Sequence, residues 1–234
     1  LSSNVNDVLA TLVYTPDGAG DFTIAIASTD AFSNTDNDTI ALSVTATALL
    51  ATSASDFGLD ATIDTDFDTD KNDGDGLSLR EALHYARSGD TITFDFDNST
   101  AGNQGGTINL GGNNPLVMAH SGVTLDGDTD NNGTRDVTIF GGNNGRVLTM
   151  NANVTDITIE SMTLTGGTAM YGGAIYMDAG SSLITKNAEI SNNSALSGAA
   201  VYAVQGASLT LINSTLSGNG AESHGGAIYL ADNA

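Results

Sequence analysis

The sequence predicts an all-β protein whose main part is a parallel β-helix behind a short N-terminal capping α-helix, and three observations predict it. The first is a repeated phrase: GGAIYM, GAAVYA and GGAIYL begin at Gly172, Gly198 and Gly225, with a nearly constant spacing between copies. The second is that apolar residues form columns at this spacing, and the third is their alternation with other residues inside each repeat. A fixed spacing of about 26 residues is typical of stacked repeats.

The apolar columns are regular. Two columns recur at the same spacing as the phrase: Ile157, Leu183 and Leu209 in one, and Leu164, Ile190 and Leu216 in the other. Within a repeat, apolar residues alternate over short stretches that glycine, serine or asparagine separates, which is the pattern of β-strands. Strands of successive repeats would pair in parallel about 4.8 Å apart. The spacing and composition fit neither helical repeats nor leucine-rich repeats.

Residues 1–48 lack this period and are predicted to form a separate domain of two or three antiparallel strands. Residues 16–18, Pro-Asp-Gly, mark a turn, and Phe22, Ile24 and Ile26 alternate with other residues. The stretch ATLVYTP resembles the last half of the cadherin-like repeats of giant bacterial adhesins. That resemblance implies part of an immunoglobulin-like (Ig-like) β-sandwich, whose remaining strands would come from elsewhere.

Residues 49–77 are predicted to be an Asp-rich junction. Four acidic residues alternate with others in the stretch DATIDTDFDTD: Asp64, Asp66, Asp68 and Asp70. In an extended chain these carboxylates would lie on one face, which is unfavourable unless a cation relieves the repulsion. A calcium site and a solvated acidic segment are both open interpretations.

A short capping helix is predicted over residues 78–89. Ser78 and Glu81 have the spacing of a capping box, and an apolar stripe follows on one face. Gly89 is placed to close the helix. Such a helix would cover the open end of the β-helix, where unpaired strand edges favour aggregation.

Residues 90–234 are predicted to be the β-helix, with about 26 residues per coil. Asn193 and Asn219 lie where the coil should turn, and we expect them to hydrogen-bond the neighbouring backbone and each other. Gly172, Gly198 and Gly225 are expected to supply positive φ angles at tight corners.

A column of tyrosines is predicted on the outer surface. If the residues before them point inward, then Tyr176, Tyr202 and Tyr229 point outward as a stack. One interpretation is packing of aromatic side chains between coils. The other is a surface that contacts a sugar or a protein partner.

The stretch DTDNNGTRD has the spacing of a calcium loop. Four oxygen-bearing residues take positions one, three, five and nine of an EF-hand-like loop: Asp128, Asp130, Asn132 and Asp136. Gly133 takes the sixth position, but the twelfth is Ile139 in place of glutamate, so we expect a weaker calcium site. The alternative is a solvated acidic turn.

Two further motifs resemble secreted proteins. The phrase GGAIY with ISNN or LSGN upstream resembles the GGA[ILV] and FxxN repeats of polymorphic outer-membrane proteins, with Ile190 or Leu216 in place of phenylalanine. The segment DGDGLSLREAL resembles the CSLREA start of secreted right-handed β-helix proteins, with Leu77 in place of cysteine. These resemblances cover about residues 64–234. They imply a right-handed β-helix that is secreted or displayed on a cell surface and is often adhesive.

Composition restricts the partners. The chain has 234 residues, and 6 basic against 28 acidic residues give a formal net charge of -22, which disfavours nucleic acid and anionic membranes as partners. No cysteine is present, so disulfides and thiolate metal sites are excluded. No apolar run is long enough to predict membrane insertion. The chain begins without methionine, and we expect an internal piece of a longer protein.

Catalysis is not predicted. Cleavage of a polysaccharide needs paired carboxylates, or a base with a metal, and from Asp156 onward no two carboxylates share a column. Arg135 and Arg146 are expected in surface ion pairs, with Lys186 paired to Glu160. Lone histidines in loops or on a cap, as His84, His120 and His224 are, seldom act as catalysts.

The sequence therefore predicts a structural or adhesive module of a large extracellular or cell-surface protein, stabilised by calcium and not an enzyme. The expected partners are other copies or other parts of the same chain at open strand edges, and a carbohydrate or a host or cell surface. The alternative is a β-helix that binds or cleaves polysaccharide, as a lyase or a glycoside hydrolase.

Overall fold

The computed structural model describes residues 20–29, 35–44, 48–54, 56, 63, 67–72, 76–96, 105–111 and 114–231. The chain divides into two compact units, Leu1–Ala46 and Thr47–Ala234. In the first unit, β1 (Gly20–Thr29) and β2 (Thr35–Val44) pair antiparallel, with Phe22 opposite Leu42. The predicted antiparallel pairing is confirmed for these two strands. The predicted turn at residues 16–18 lies outside the described residues.

The second unit is built from parallel sheets. Its described residues contain nineteen strands in four sheets, and each strand pairs in parallel with a strand of an adjacent repeat. The first sheet contains β3 (Ala48–Ala51), β4 (Thr91–Phe94), β7 (Thr124–Asp126), β10 (Ile157–Glu160), β14 (Ser182–Lys186) and β18 (Ser208–Ile212). The second contains β5 (Gly106–Asn109), β8 (Val137–Phe140), β11 (Met162–Thr165), β15 (Glu189–Ser191) and β19 (Thr215–Ser217).

The other two sheets follow the same arrangement. The third sheet contains β12 (Thr168–Tyr171), β16 (Ser194–Ser197) and β20 (Gly220–His224). The fourth contains β6 (Leu116–Met118), β9 (Leu148–Met150), β13 (Ile175–Met177), β17 (Val201–Ala203) and β21 (Ile228–Leu230). Helices α1 (Phe67–Asn72) and α2 (Leu79–Tyr85) precede most of these strands. The second unit is therefore β-rich and has parallel pairing throughout its described sheets.

One apolar core runs through the second unit, and the predicted columns form it. The register places Ile157 beside Leu183 and Leu183 beside Leu209, while Leu164, Ile190 and Leu216 align in the second sheet. In most strands buried and half-buried residues alternate, and Ile157, Ile159 and Leu164 are fully buried. Each such side chain contributes about 1.5–3 kcal/mol of transfer free energy. The columns predicted from the regular spacing are confirmed.

The spacing changes once in the last repeats. In the third sheet Ala195 pairs with Ala221 at the regular spacing, whereas Ser197 pairs with His224, one position further along than that spacing would place its partner. This irregularity lies between Ala221 and His224 in β20. Beyond it, the fourth sheet keeps the longer offset, with Val201 beside Ile228.

Helix α2 has the predicted capping box but ends earlier than expected. Ser78 N–H donates to Glu81 Oε2 at 2.8 Å, and Ser78 Oγ accepts from Glu81 N–H at 3.3 Å. The helix stops at Tyr85 because Ala86 turns to φ -59° and ψ 140°, and the Asp90 carboxylate accepts the N–H of Arg87. Closure at Gly89 was therefore a wrong prediction. Leu79, Ala82, Leu83 and Ala86 are buried against the core, as the stripe predicted.

The predicted Asp-rich junction contributes to the second unit. Strand β3 pairs in parallel with β4, and Ala51 and Leu77 are buried in the core. Helix α1 packs beside α2, with the rings of Phe67 and Tyr85 edge to face at 5.3 Å. Residues 48–77 thus include the first strand of the stack as well as a connection.

A ladder of two asparagines joins three successive repeats; we call Asn193 and Asn219 the asparagine ladder. Asn193 Oδ1 accepts from Gly167 N–H at 2.8 Å, and its Nδ2 donates to Leu164 O, Ser191 O and Asn219 Oδ1. Asn219 Nδ2 donates to Ile190 O at 2.7 Å. Asn193 is 2% exposed, so its amide is satisfied almost wholly by neighbouring repeats.

The glycines of the repeated phrase have the predicted backbone. Gly172, Gly198 and Gly225 have φ angles of 62°, 60° and 56°. A β-carbon at Gly172 would lie 2.2 Å from Ile175 O, so the corner excludes a side chain on steric grounds as well.

Candidate functional site

An acidic loop connects β7 to β8; we call residues 127–136 the acidic loop. Carboxylate oxygens of Asp128, Asp130 and Asp136 all lie within 4.8 Å of one another, and Asp130 is the exposed member. The sequence predicted these three residues together. Ile139, at the twelfth position, is fully buried in β8 and offers no ligand. The loop thus concentrates three carboxylates beside the stack.

Hydrogen bonds within the loop hold these carboxylates in place. Asp128 accepts from the N–H groups of Asn132 at 2.9 Å and Gly133 at 2.8 Å. Asp136 accepts from Thr129 N–H and Oγ1, both at 3.0 Å, and from Thr134 Oγ1 at 2.6 Å. Burial raises the pKa of Asp136, but the bonds from Thr134 and Thr129 lower it further, so the net pKa is below the usual value. This carboxylate is therefore ionised at neutral pH.

Asn132 lies inside the same network. Its Oδ1 accepts from Thr134 N–H at 2.7 Å, and its Nδ2 donates to Asp130 Oδ2 at 2.9 Å. Oxygen ligands of this kind suit a hard cation such as calcium. The loop could therefore hold a cation with the three carboxylates and an amide oxygen nearby.

The acidic loop is attached to later repeats. Arg135 lies 3.7 Å from Glu189 Oε2, and Asn187 Nδ2 donates to Gly133 O at 2.9 Å. The predicted surface ion pair of Arg135 is confirmed. A structural change in the loop would consequently reach the turn between β14 and β15, two repeats along the stack.

Two carboxylates share a column that includes a residue before Asp156, where the sequence comparison of columns began. Asp126 in β7 lies beside Glu160 in β10, and Lys186 follows in β14, with its Nζ 3.5 Å from Glu160. Burial raises the pKa of Asp126, the Asp128 N–H lowers it, and the charge of Glu160 raises it again. The Lys186–Glu160 pair was predicted correctly. Asp126 was missed because its repeat is longer than the regular period.

The second predicted acidic site differs from the expectation. Asp64 and Asp66 lie outside the described residues, and Asp68 and Asp70 lie in α1. The extended arrangement is therefore wrong for the end of this segment. Asp70 is fully buried and accepts from Tyr85 Oη at 2.6 Å, so one of its oxygens already has a strong donor.

Four tyrosines form one surface strip in which Tyr171 is exposed and the others are half-buried; we call Tyr171, Tyr176, Tyr202 and Tyr229 the tyrosine strip. Tyr176 and Tyr202 stack with ring centroids 5.7 Å apart at 4°, and Tyr202 and Tyr229 at 5.2 Å and 22°. Tyr171, which the sequence did not single out, lies 4.8 Å from Tyr202. Burial, followed by its tyrosine neighbours, raises the pKa of Tyr202, so its hydroxyl stays neutral.

The stacked tyrosines contact one another through the faces of their rings. Tyr202 has Tyr176 on one side and Tyr229 on the other, and the guanidinium of Arg146 lies 4.8 Å over the ring of Tyr176. Arg146 also donates to the carbonyls of Tyr171 and Gly172, in place of the surface ion pair that the sequence predicted. The strip therefore presents ring edges and hydroxyls to solvent.

The third sheet also exposes large apolar residues. Met170 is 65% exposed and Leu196 is 39% exposed in strands β12 and β16, beside Tyr171. Large apolar side chains exposed together on a protein surface often mark a contact site. This face is thus the main candidate for contact with another molecule.

A small cleft beside α2 brings two histidines to one place. It encloses about 260 Å³ and is lined by Ile63, Arg80, Leu83, His84, Val117, Ala119 and His120. Arg80 is bound to Asp56 at 2.6 Å and to backbone carbonyls. The sequence did not predict that His84 and His120 lie together, because they are far apart along the chain. His224 lies apart from this cleft, 5.8 Å from the ring of Tyr229.

No family model matches the chain, and no curated protein and no solved structure matches it. The resemblances in the sequence to surface-displayed proteins therefore stay predictions. Among the described helices, none has the length and apolar character needed to cross a membrane.

Proposed function

We propose that the chain is a structural and adhesive module of a large extracellular or cell-surface protein. In this proposal the second unit is a right-handed parallel β-helix, and the first is part of an Ig-like, cadherin-like sandwich. The observation that carries it is the stack of tyrosines along successive parallel repeats, together with the exposed apolar side chains of Met170 and Leu196 in the third sheet. A stack of this kind offers an extended rigid surface, which suits contact with a carbohydrate or a cell surface.

Calcium is proposed as the stabilising ion, bound at the acidic loop. Asp128, Asp130 and Asp136 supply three carboxylates that converge only when the loop is folded. An ion that binds the folded state alone stabilises it, by about 2.7 kcal/mol at a hundred times the dissociation constant. The loop's bonds to Asn187 and Glu189 would carry that stabilisation into the stack. Secretion would expose the chain to calcium outside the cell.

Chemical denaturation with calcium and with excess chelator tests the calcium proposal. We expect the urea midpoint of the wild-type chain to rise with calcium, and the rise to shrink in Asp130→Asn, which removes the exposed carboxylate. Glu222→Gln is the matched control, because it removes one exposed charge from β20, outside the loop. Equal unfolding of the wild type in calcium and in chelator would contradict the proposal.

Surface binding tests the adhesive proposal independently. The whole chain is applied to immobilised neutral polysaccharides and to cell surfaces, with Met170→Ser and Tyr171→Ser as variants of the exposed face. Thr158→Ala, half-buried on the first sheet, is the control. Loss of binding in the two variants alone would support the proposal, whereas unchanged binding would exclude this face as the adhesive surface.

A further inference from the structure

Three Asn-Gly pairs occur in the described residues, and their surroundings differ. They are Asn132–Gly133 in the acidic loop, Asn144–Gly145 in an exposed turn, and Asn219–Gly220 in the asparagine ladder. In such a pair the glycine nitrogen can attack the asparagine side chain, because glycine has no β-carbon to shield it. The dipeptide is the same at all three sites, so differences in reactivity must come from the fold.

We propose that Asn132 is a site of spontaneous deamidation that the acidic loop itself promotes. The nitrogen of Gly133 forms a bond to Cγ of Asn132, and the proton of that nitrogen passes to the Asp128 carboxylate. The Cγ–Nδ2 bond breaks, and the amide group takes up a proton and leaves as ammonia. Water then opens the five-membered imide, which gives aspartate or its isomer linked through the side chain. One amide and one water thus become one carboxyl group and one ammonia.

Each reacting atom has a suitable hydrogen-bond partner. Gly133 N–H, the nucleophile, donates to Asp128 Oδ2 at 2.8 Å, which places a base on the proton to be lost. Asn132 Oδ1, where negative charge develops, accepts from Thr134 N–H at 2.7 Å. The leaving nitrogen, Nδ2, donates to Asp130 Oδ2 at 2.9 Å. The loop therefore combines a base with an oxyanion donor at one amide.

The loop also has room for ring closure. Asn132 is exposed, and a β-carbon built at Gly133 would meet nothing within 4 Å. Gly133 has a φ angle of 82°, a region that glycine enters freely. Cyclisation there moves the loop backbone and disturbs the bond from Asn187 to Gly133 O, but it breaks none of the paired strands.

The other two pairs lack this combination. Gly220 N–H donates to Asn193 O at 2.9 Å, and Asn219 Nδ2 donates to Ile190 O, so cyclisation would break the ladder. Asn144 is exposed, but among the described hydrogen bonds none joins Gly145 N–H to a carboxylate. We therefore expect deamidation to be fastest at Asn132, slower at Asn144 and slowest at Asn219.

Peptide mapping by mass spectrometry, after incubation of the whole chain at neutral pH with excess chelator so that Asp128 holds no cation, tests this order. Each site is followed by the mass increase that accompanies replacement of an amide by a carboxylate, with chromatography to separate the two isomers. In Asp128→Asn we expect the rate at Asn132 to fall about tenfold, less than a fully positioned base supplies because the loop is exposed to water. Asp178→Asn, which removes a charge elsewhere, should leave it unchanged.

Deamidation rates measured in urea, where the chain is unfolded, separate the effect of the fold from that of the local sequence. This measurement needs no variant. There the advantage of Asn132 over Asn144 should disappear, because the partners of Gly133 are lost. A folded rate at Asn144 equal to or above that at Asn132 would overturn the proposal. So would an unchanged rate in Asp128→Asn, or a preference for Asn132 that persists in urea.

Discussion

The asparagine ladder and the acidic loop solve the same problem, satisfying polar groups beside a stack, in opposite ways. Asn193 is buried, and its amide is bonded to backbone and side chain of adjacent repeats at a strict 26-residue spacing. The carboxylates of Asp128 and Asp136 are bonded within their own loop, which belongs to a longer, 34-residue repeat. The hydrogen bonds of the ladder require the regular spacing of the repeats, whereas the hydrogen bonds within the loop do not.

This difference indicates where the molecule can vary. A residue in the ladder cannot change without leaving groups in the neighbouring repeat unsatisfied, because each amide bonds to the preceding repeat. A residue in the loop affects mainly the loop and its contacts to Asn187 and Glu189. The comparison therefore predicts large stability effects in the stack and small ones in the loop.

A pair of glycine substitutions should give the largest contrast. Gly172→Ala is expected to cost about 4 kcal/mol, since it combines a positive φ with a β-carbon 2.2 Å from Ile175 O. Gly133→Ala has a positive φ but open space, and about 1 kcal/mol is expected. Urea denaturation of both variants measures the difference. Equal costs would show that the corner relaxes around the new methyl group.

Removal of the ladder amide should have the next largest effect. Asn193→Ala leaves Gly167 N–H and Leu164 O without their partner, at a cost of about 3 kcal/mol. Asn219→Ala, which is half-buried, should cost about 1 kcal/mol. The free energies of unfolding of the two variants give the ratio. A cost for Asn219 as large as that for Asn193 would contradict the importance of burial.

The tyrosine strip should contribute less. Tyr202→Ala is expected to cost about 2 kcal/mol, because both ring neighbours lose their stacking partner. Tyr202→Phe keeps the ring and should change stability by less than about 0.5 kcal/mol. If the two variants were equally destabilised, the hydroxyl and not the stack would be responsible.

The smallest effect should come from two carboxylates with opposite pKa shifts. The raised pKa of Asp126 stabilises the fold below the usual value of 3.8, and this contribution is lost as pH rises through the raised pKa. The lowered pKa of Asp136 stabilises the fold above 3.8 and is lost as pH falls through the lowered pKa. Asp126→Asn should therefore gain stability relative to wild type as pH rises, by less than about 1 kcal/mol given solvent screening.

Asp136→Asn is the second variant of this experiment, and its stability should change with pH in the opposite direction. It should lose stability relative to the wild type above pH 3.8, because the charge-strengthened bonds from Thr134 and Thr129 are weakened. Denaturation at several pH values compares both variants. Parallel curves for the two variants would show that burial at Asp126 and hydrogen bonds at Asp136 do not shift the two pKa values in opposite directions.

The stacked repeats could be predicted from the sequence because their apolar residues recur at a fixed spacing. Ile157, Leu183 and Leu209 align after a fixed spacing, and the short alternation around them gives the inward direction without any knowledge of the structure. The capping box was equally local, since Ser78 and Glu81 are close in sequence. Both signals are contained in a short window or a single period.

The sequence did not predict contacts where a repeat departs from the regular length or where the contacting residues are far apart along the chain. Asp126 meets Glu160 across the longer repeat, so an alignment on the regular period cannot pair them. Tyr171 joins the tyrosine strip across a turn between different sheets, a contact that no spacing records. At residues 67–72, alternation suggested an extended chain, but packing of Phe67 on Tyr85 accompanies a helix instead.

The irregularity between Ala221 and His224 has a consequence for the gene as well as for the protein. One additional codon on this side lengthens the repeat while Val201 still meets Ile228 in the next sheet. We therefore expect a one-residue insertion at this place to be accommodated within the third sheet. The third sheet is thus the side on which we expect an inserted peptide epitope to be displayed with least disturbance of the apolar core.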